Sequence, residues 1–285
     1  MNCFSNATIQ DCRETFMKTL IPTIAIRGAG DLATGVALRL YRAGMRNIVM
    51  LETEKPLAVR RKVVFSEAIY HQEVMVEEIT AKHCTQCSEI SEVWAKGMVP
   101  VICDPKATCL ETVKPDVLID AIIAKKNIGT KISMAPLVIG LGPGFTAGED
   151  VHASVETKRG HYLSRVITEG SAIPNTGVPG SVKGFTTERV HWADEAGVFT
   201  TQSDIGAMLK KGDLIGYVNT QPIAATIDGV LRGLLPNGTP VQKGTKIADV
   251  DPRNDPAYCG EVSDKALSIG GGVLEAICAH LFAKK

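Results

Sequence analysis

Much of what a 285-residue chain could do is excluded by what this one lacks. It has no net charge, because thirty-one Lys and Arg balance thirty-one Asp and Glu. It has no basic run either, so there is no electrostatic footing for nucleic acid or an anionic membrane surface. No apolar run approaches the ~20 residues of a membrane span. The stretch Met1 to Lys18 is polar and mixed, unlike a secretory signal. The chain therefore reads as cytoplasmic, and its eight cysteines as reduced thiols. No G-x-S-x-G elbow, H-E-x-x-H, P-loop or kinase signature is present. Cys84 and Cys87 form a C-x-x-C after His83, but Cys103 and Cys109 do not supply a second pair at zinc-site spacing. Ordinary thiols are the expectation there, with redox or sulfur handling and metal as weaker alternatives. Acid–base candidates are few: His161, Lys125 and Lys126.

What is present begins at Ile24-Ala25-Ile26-Arg27-Gly28-Ala29-Gly30-Asp31-Leu32-Ala33-Thr34-Gly35. A short apolar run enters two glycines, and a helical pattern leaves them with apolar residues at 32, 36, 37, 40 and 41. Gly28, Gly30 and Ala33 fit G-x-G-x-x-[GA]. The physical purpose of such a turn is anion binding, since free N–H groups at a helix start face a phosphate that glycine lets come close. Glu52 follows the next strand, Asn47 to Leu51, 22 residues after Gly30, where a ribose-binding carboxylate would stand. Strand candidates at Val74–Val76, Val99–Cys103, Asp116–Asp120 and Leu137–Leu141 alternate with helix candidates at Leu57–Ile69 and Cys84–Ala95. That alternation predicts a parallel sheet covered on both faces. Ligands collect beyond the carboxyl ends of such strands, which brings Gly28, Gly30, Glu52, Asp104, Asp120, Gly142 and Gly144 to one edge. Arg60-Arg61-Lys62 are read as a solvated helix face, with nucleotide phosphates as the alternative.

Past residue 150 the texture changes. Glu156, Arg159, His161 and Arg165 cluster in a segment that reads either as part of the site or as a surface hairpin with charge pairs. Residues 170–184 are a Gly/Pro/Ser/Thr linker. The next region repeats itself. Gly197-Val198, Lys211-Gly212, Ile215 and Val218 recur as Gly229-Val230, Lys243-Gly244, Ile247 and Val250, each 32 residues on. Two such copies resemble the barrel-sandwich hybrid of biotinyl and lipoyl carrier domains. A carrier needs a lysine in the hairpin between the halves, and here that hairpin is Val218-Asn219-Thr220-Gln221-Pro222, so a structural or docking role is implied. Ser263 is an N-cap candidate. Gly270-Gly271-Gly272 are costly inside a helix and imply close packing or a break.

The expected organisation is a lead-in at 1–20, an α/β Rossmann-like domain at 21–150, a connecting segment at 151–184, a small all-β unit at 185–252, and a C-terminal helix within 253–285 packed on the first domain. Five runs carry a resemblance: Arg27–Gly35, Asp120–Asn127, Gly140–Phe145, Glu156–His161 and Ser263–Ala266 through Gly270–Glu275. On them the chain resembles the YqeB family of accessory proteins in the selenium-dependent molybdenum hydroxylase system. Its first part is similar to the Rossmann domain of XdhC-type proteins, the accessory proteins of xanthine dehydrogenase. The resemblance implies a maturation factor rather than a stand-alone enzyme, with a molybdenum hydroxylase as client. It also implies a phosphate-bearing ligand, either molybdenum cofactor or a nucleotide such as NAD(P), at Gly28, Ala29, Gly30, Asp31, Leu32, Glu52, Asp120, Lys125, Asn127, Gly142 and Gly144. The alternative is an NAD(P)-dependent oxidoreductase with Glu52 on the ribose and His161 or Lys125 relaying a proton. No metal site, nucleic acid or membrane partner is expected, and homo-oligomerisation is left open.

Overall fold

A computed structural model describes residues 21–283, and the expected lead-in, with Cys3 and Cys12, lies outside the described residues. Ile24 and Ile26 alternate with Ala25 and Arg27, and all four are buried, so the run is extended and covered on both faces. It is β1 (Ile24–Arg27). There follow β2 (Ile48–Glu52), β3 (Glu73–Val76), β4 (Ile79–Cys84), β5 (Val99–Cys103), β6 (Val117–Asp120), β7 (Leu137–Leu141), β8 (Thr146–Ala147), β9 (Ala153–Val155), β10 (Val166–Ile167) and β11 (Gly170–Ser171). Nine of these form one sheet in the order β10-β9-β7-β6-β1-β2-β5-β4-β3, while β8 and β11 make a small ribbon. The inner strands are parallel, and β3 and β10 close the edges antiparallel. From β1 the chain passes to β2, out to the edge strand β3 and back inward through β4 and β5, then crosses to the other side of β1 with β6 and β7.

Three helices matter here: α1 (Asp31–Arg42), α2 (Ile90–Ala95) and α3 (Asp264–Phe282). α1 and α3 cover the sheet face that carries Ile24, Ile26, Met50, Ile119 and Ile139. α2 lies on the face of Ala25, Val49, Leu118 and Val138. α3 runs unbroken through its three glycines and is capped by Ser263, whose Oγ accepts from the Ala266 N–H at 3.2 Å. The glycines permit a close crossing. A Cβ on Gly35 would meet the Ala266 backbone at 2.9 Å, and one on Gly270 would meet the Arg39 Cβ at 2.7 Å and the Gly35 carbonyl oxygen at 3.0 Å. α3 has the length and apolar composition of a membrane span, contrary to the expectation that no run comes close. Ala266, Ile269, Val273 and Ile277 are buried in the core, so the helix is read as a core helix of the first unit.

Three local expectations are corrected. Leu57–Ile69 is not a helix but two 3-10 turns, Arg61–Val63 and Phe65–Glu67, followed by a short helix at Ala68–His71. Val63, Val64 and Phe65 are all buried, which one helical stripe would not allow. Cys84 ends strand β4 rather than starting a helix, and helical structure begins at Cys87. The large sheet passes residue 150 and takes β9 and β10 from the supposed connecting segment.

The 32-residue repeat is visible as strand pairs: β12 (Val190–Trp192), β13 (Gly197–Thr200), β14 (Met208–Leu209) and β15 (Leu214–Val218) recur as β16 (Gln221–Ala224), β17 (Gly229–Leu234), β18 (Thr239–Val241) and β19 (Lys246–Asp251). They form two four-stranded sheets, β12-β19-β17-β14 and β16-β15-β13-β18, so each sheet takes strands from both copies. Their shared core includes Phe199, Ile215, Val230, Leu231 and Ile247.

Candidate functional site

The parallel pairings put the carboxyl ends of β1, β2, β5, β6 and β7 along one sheet edge, beside the point where strand order reverses around β1. The turn after β1 is shaped by its own residues. Gly28 has φ +95°, and a Cβ there would press on the Ala121 carbonyl at 3.2 Å, so glycine is required. Its N–H bonds the Leu51 carbonyl at 2.7 Å. Ala29 is buried, and its carbonyl accepts from the Ser66 N–H and the Thr34 hydroxyl. Gly30 is the N-cap of α1, with φ −76° and ψ −168°, and no side chain caps the helix. A Cβ on Gly30 would meet nothing within 4 Å. The twelve-residue helix thus has no side-chain cap, and the space beside its N-cap residue is open.

The other expected residues divide into groups. Glu52 does reach the turn, but its Oε2 accepts from the Ala29 N–H and its Oε1 from the Thr53 N–H, both at 2.8 Å. Its carboxylate therefore braces the loop. Asp120 is buried and bound by Arg27 (3.3 Å), the Thr130 hydroxyl (2.6 Å) and the Ile122 N–H (3.2 Å). Asn127 closes its own turn, accepting from the Gly129 and Thr130 N–H groups at 2.9 Å. Lys125 is exposed on that same loop. Gly142 (φ +75°) would drive a Cβ into Thr157, and Gly144 (φ +114°) would drive one into the Lys126 backbone at 2.7 Å. Both glycines are thus spent on packing the loop after β7, Gly142 against the segment after β9 and Gly144 against the loop after β6. Asp104 binds the Cys109 N–H at 2.7 Å and the Thr108 hydroxyl at 3.1 Å. Glu156 is buried, accepting from the Lys158 and Ile173 N–H groups at 2.7 Å, while His161 is exposed.

Several residues around the turn escape sequence reasoning. The Arg60-Arg61-Lys62 run is neither a solvated face nor a phosphate clamp. Arg60 is buried, pairs with Asp31 at 3.2 Å and donates to the carbonyls of Tyr258 and Glu261. Arg61 donates to the Leu234 carbonyl and Lys62 to the Ile205 carbonyl, both at 2.8 Å. The run is a strap that fastens the repeat unit to the first unit. Lys265 lies in the field of Asp31 and Glu156. Burial and Arg159 push its ammonium below the usual lysine range against the pull of Asp31, Glu156 and Asp264. Lys246 is pushed down by burial, with Asp249 opposing, and it also feels Asp31. Glu67, next to the Ser66 that holds the turn, is buried and raised by that burial, while Arg61 and His71 oppose. No motif marks any of these, because each is brought in by packing from a distant segment.

The cysteine expectation is also corrected. Cys84 and Cys87 are not partners: Cys87 is disulfide-bonded to Cys109, with Cα atoms 6.3 Å apart, and Cys84 is a free buried thiol. Cys109 is carried by the loop after β5, which turns it back onto the α2 side of the sheet. Among the described residues no group of three or more His, Cys, Asp or Glu is arranged to hold a metal ion.

No protein-family model matches the chain. Among solved structures, the product-bound ectoine utilization protein EutE (DoeB) from Ruegeria pomeroyi is 10% identical, with 74% of this chain and 60% of that chain covered and a TM-score of 0.21. A succinylglutamate desuccinylase/aspartoacylase from Rhodobacter sphaeroides is 15% identical, with 53% and 66% covered and a TM-score of 0.21. A curated relative, the uncharacterized protein YqeB of Escherichia coli (strain K12), is 48% identical over 254 residues, which are 89% of this chain and 47% of that protein. That match supports membership of the YqeB family, and the chain spans about half the length of this curated relative.

Proposed function

We propose that the chain is a maturation factor for a molybdenum hydroxylase of the selenium-dependent, xanthine-dehydrogenase type, and that it holds the phosphate of a molybdenum cofactor or nucleotide at the Gly28–Leu32 turn. In this reading the nine-stranded sheet with α1 and α3 is a Rossmann-like domain. The interlocked repeat is a barrel-sandwich hybrid that docks the client, with Asn219 and Thr220 where a carrier would place its lysine. The observation that carries the proposal is the uncapped α1 N-terminus with open space at the Gly30 Cβ position. The first-turn N–H groups would bind phosphate oxygens, and Lys265 and Lys246 would supply positive charge that Asp31 alone would deny. The cofactor, when bound, would supply the client's redox chemistry; the residues of this chain bind and orient it. Glu52 beside the turn favours one second reading, an NAD(P)-dependent oxidoreductase, although its carboxylate already serves the loop.

The test is to purify the protein from its natural background and identify any co-purifying small molecule by mass spectrometry. A molybdopterin species supports the proposal. Bound NAD(H) or NADP(H), with turnover of an alcohol or carbonyl substrate, replaces it with the second reading.

A further inference from the structure

The two sheets of the repeat unit are equivalent in build and opposite in chemistry. Exchanging the two copies of the repeat turns the strand order β12-β19-β17-β14 into β16-β15-β13-β18. The first of these sheets is covered over its central strands. Every residue of β17 and all but one of β19 are buried. Val59 packs on Gly233, and the Cys259 thiol donates to the Leu231 carbonyl. The second sheet is open, and each of its four strands leaves residues exposed. Its pairings define the outward face. Tyr217 lies opposite both Thr200 and Pro222, and Val198 lies opposite Pro240, while the alternating Phe199 and Val218 enter the core. Tyr217, Val198 and Leu214 are 40%, 45% and 45% exposed, and both prolines are exposed. β13, β15, β16 and β18 contain no Asp, Glu, Lys, Arg or His. The covered strands β17 and β19 hold Arg232, Lys246, Asp249 and Asp251. At the 32-residue offset, Thr200, Leu214 and Tyr217 stand where Arg232, Lys246 and Asp249 stand in the other copy.

Solvation alone would give the reverse, with charges on the open sheet and apolar residues on the covered one. An exposed face with a tyrosine on an inner strand and no charge has the composition of an interface core. Two features identify what covers it. A face without charge meets its own copy free of like-charge repulsion, whereas a charged partner surface would be desolvated there with nothing to pair. Both edge strands, β16 and β18, carry a proline, Pro222 and Pro240, which opposes addition of a further strand and leaves contact through the face. We propose that a second copy of this chain covers the sheet, the two faces packing on each other about a two-fold axis with Tyr217 near the centre. Strands about 4.8 Å apart and three to five residues long give a flat footprint of roughly 250 Å² per copy. That is the apolar core of a small interface, so the dimer is reversible rather than permanent. The proposal does not rest on what the glycine turn binds.

Sedimentation velocity of the full chain over a wide concentration range tests the pairing. Tyr217→Asp and Val198→Lys alter the face, and Met75→Lys, at an exposed position on edge strand β3 of the large sheet, is the control. Wild type and Met75→Lys should pass from monomer to dimer as concentration rises. In Tyr217→Asp the dissociation constant should rise roughly a hundredfold, because one substitution enters a two-fold interface twice. Circular dichroism matching wild type establishes that a face variant is folded, and Val198→Lys carries the test if Tyr217→Asp misfolds. A wild type that stays monomeric at every concentration overturns the proposal and leaves the face to the proposed client enzyme. A dimer that survives in the folded face variants, or that dissociates in Met75→Lys alone, overturns it too, because the contact then lies elsewhere.

Discussion

Gly30→Val separates the ligand reading of the turn from a purely structural one. At φ −76° and ψ −168° the residue is in extended backbone open to valine, and the added Cβ meets nothing within 4 Å. The folding cost is therefore limited to replacing glycine by a poor N-cap residue, about 1 kcal/mol, or roughly 2–4 °C in Tm for a domain of this size. The binding cost is of another order. Valine's two methyl groups would occupy the space through which a phosphate reaches the α1 amides. Losing two charge-assisted contacts at about 1.5–3 kcal/mol each gives about 3–6 kcal/mol, or two to four powers of ten in Kd. The assay titrates pyrophosphate against the amide signals of Asp31, Leu32 and Ala33, with thermal melting of the same samples. A wild-type response in the folded Gly30→Val variant would refute the reasoning, because the turn would then not be where the anion sits. A loss of stability well above 1 kcal/mol would refute its structural half.

The three glycines of α3 should behave differently. Gly271→Ala, with open space around it, should stabilise by about 1 kcal/mol through helix propensity, whereas Gly270→Ala and Gly272→Ala should destabilise by about 1–3 kcal/mol through overpacking, as read from urea midpoints. For Asp249, burial pushes the carboxyl up, but Lys246, Arg232 and Arg189 together bring it down to about 2. Its folded value thus lies below the unfolded one, so its contribution of about 2 kcal/mol is full above pH 4 and is lost as pH falls toward 2. Stability measured across pH 2–5 should show this limb flattened in Asp249→Asn. Reducing Cys87–Cys109, which closes a 22-residue separation, should cost about 3 kcal/mol. Alkylation before and after reductant, read by mass, should show two additional labels on the reduced chain.

How far the sequence can be read follows from how local each signal is. β1, the Gly28 turn and α1 are contiguous, and their pattern depends only on neighbours, so the turn is legible residue by residue. The repeat is legible because two copies of one strand–turn pattern fall at a fixed offset, although that both sheets mix the copies emerges only from the pairing. Gly142 and Gly144 read as phosphate approach, because a glycine that admits Thr157 or Lys126 looks the same in one dimension as one that admits a ligand. Spacing matches Cys87 with Cys84, yet its partner is Cys109, brought over by the β5 loop. Ile79–Cys84 is hidden as a strand because its short alternation of Ile79 and Ala81 with Thr80 and Lys82 is broken at His83, near the sheet edge.

The strap at 59–62 shows why charge patterning alone misleads here. In an exposed helical turn, three consecutive cations would fan outward and be solvated. In the irregular backbone that actually forms, they diverge to three targets: Asp31 with the Tyr258 and Glu261 carbonyls, Leu234, and Ile205. The Val59 carbonyl adds a bond from the Leu234 N–H at 2.7 Å, and a Cβ on Gly233 would collide with Val59 at 2.9 Å, so this seam is close-fitting. Its consequence is electrostatic. By fixing the repeat unit against the first unit, the strap holds Lys246 within the field of Asp31 at the start of α1, while α3 brings Lys265 to the same carboxylate. A helix N-terminus carrying an aspartate would repel an anion on its own. Arg60, which pairs with Asp31, and two lysines drawn from segments up to 234 residues from Asp31 in sequence would offset that charge in the proposed function. A charge-neutral composition does not argue against the proposed anion site, because the chain's balance of acids and bases says nothing about which of them the fold gathers at one helix end.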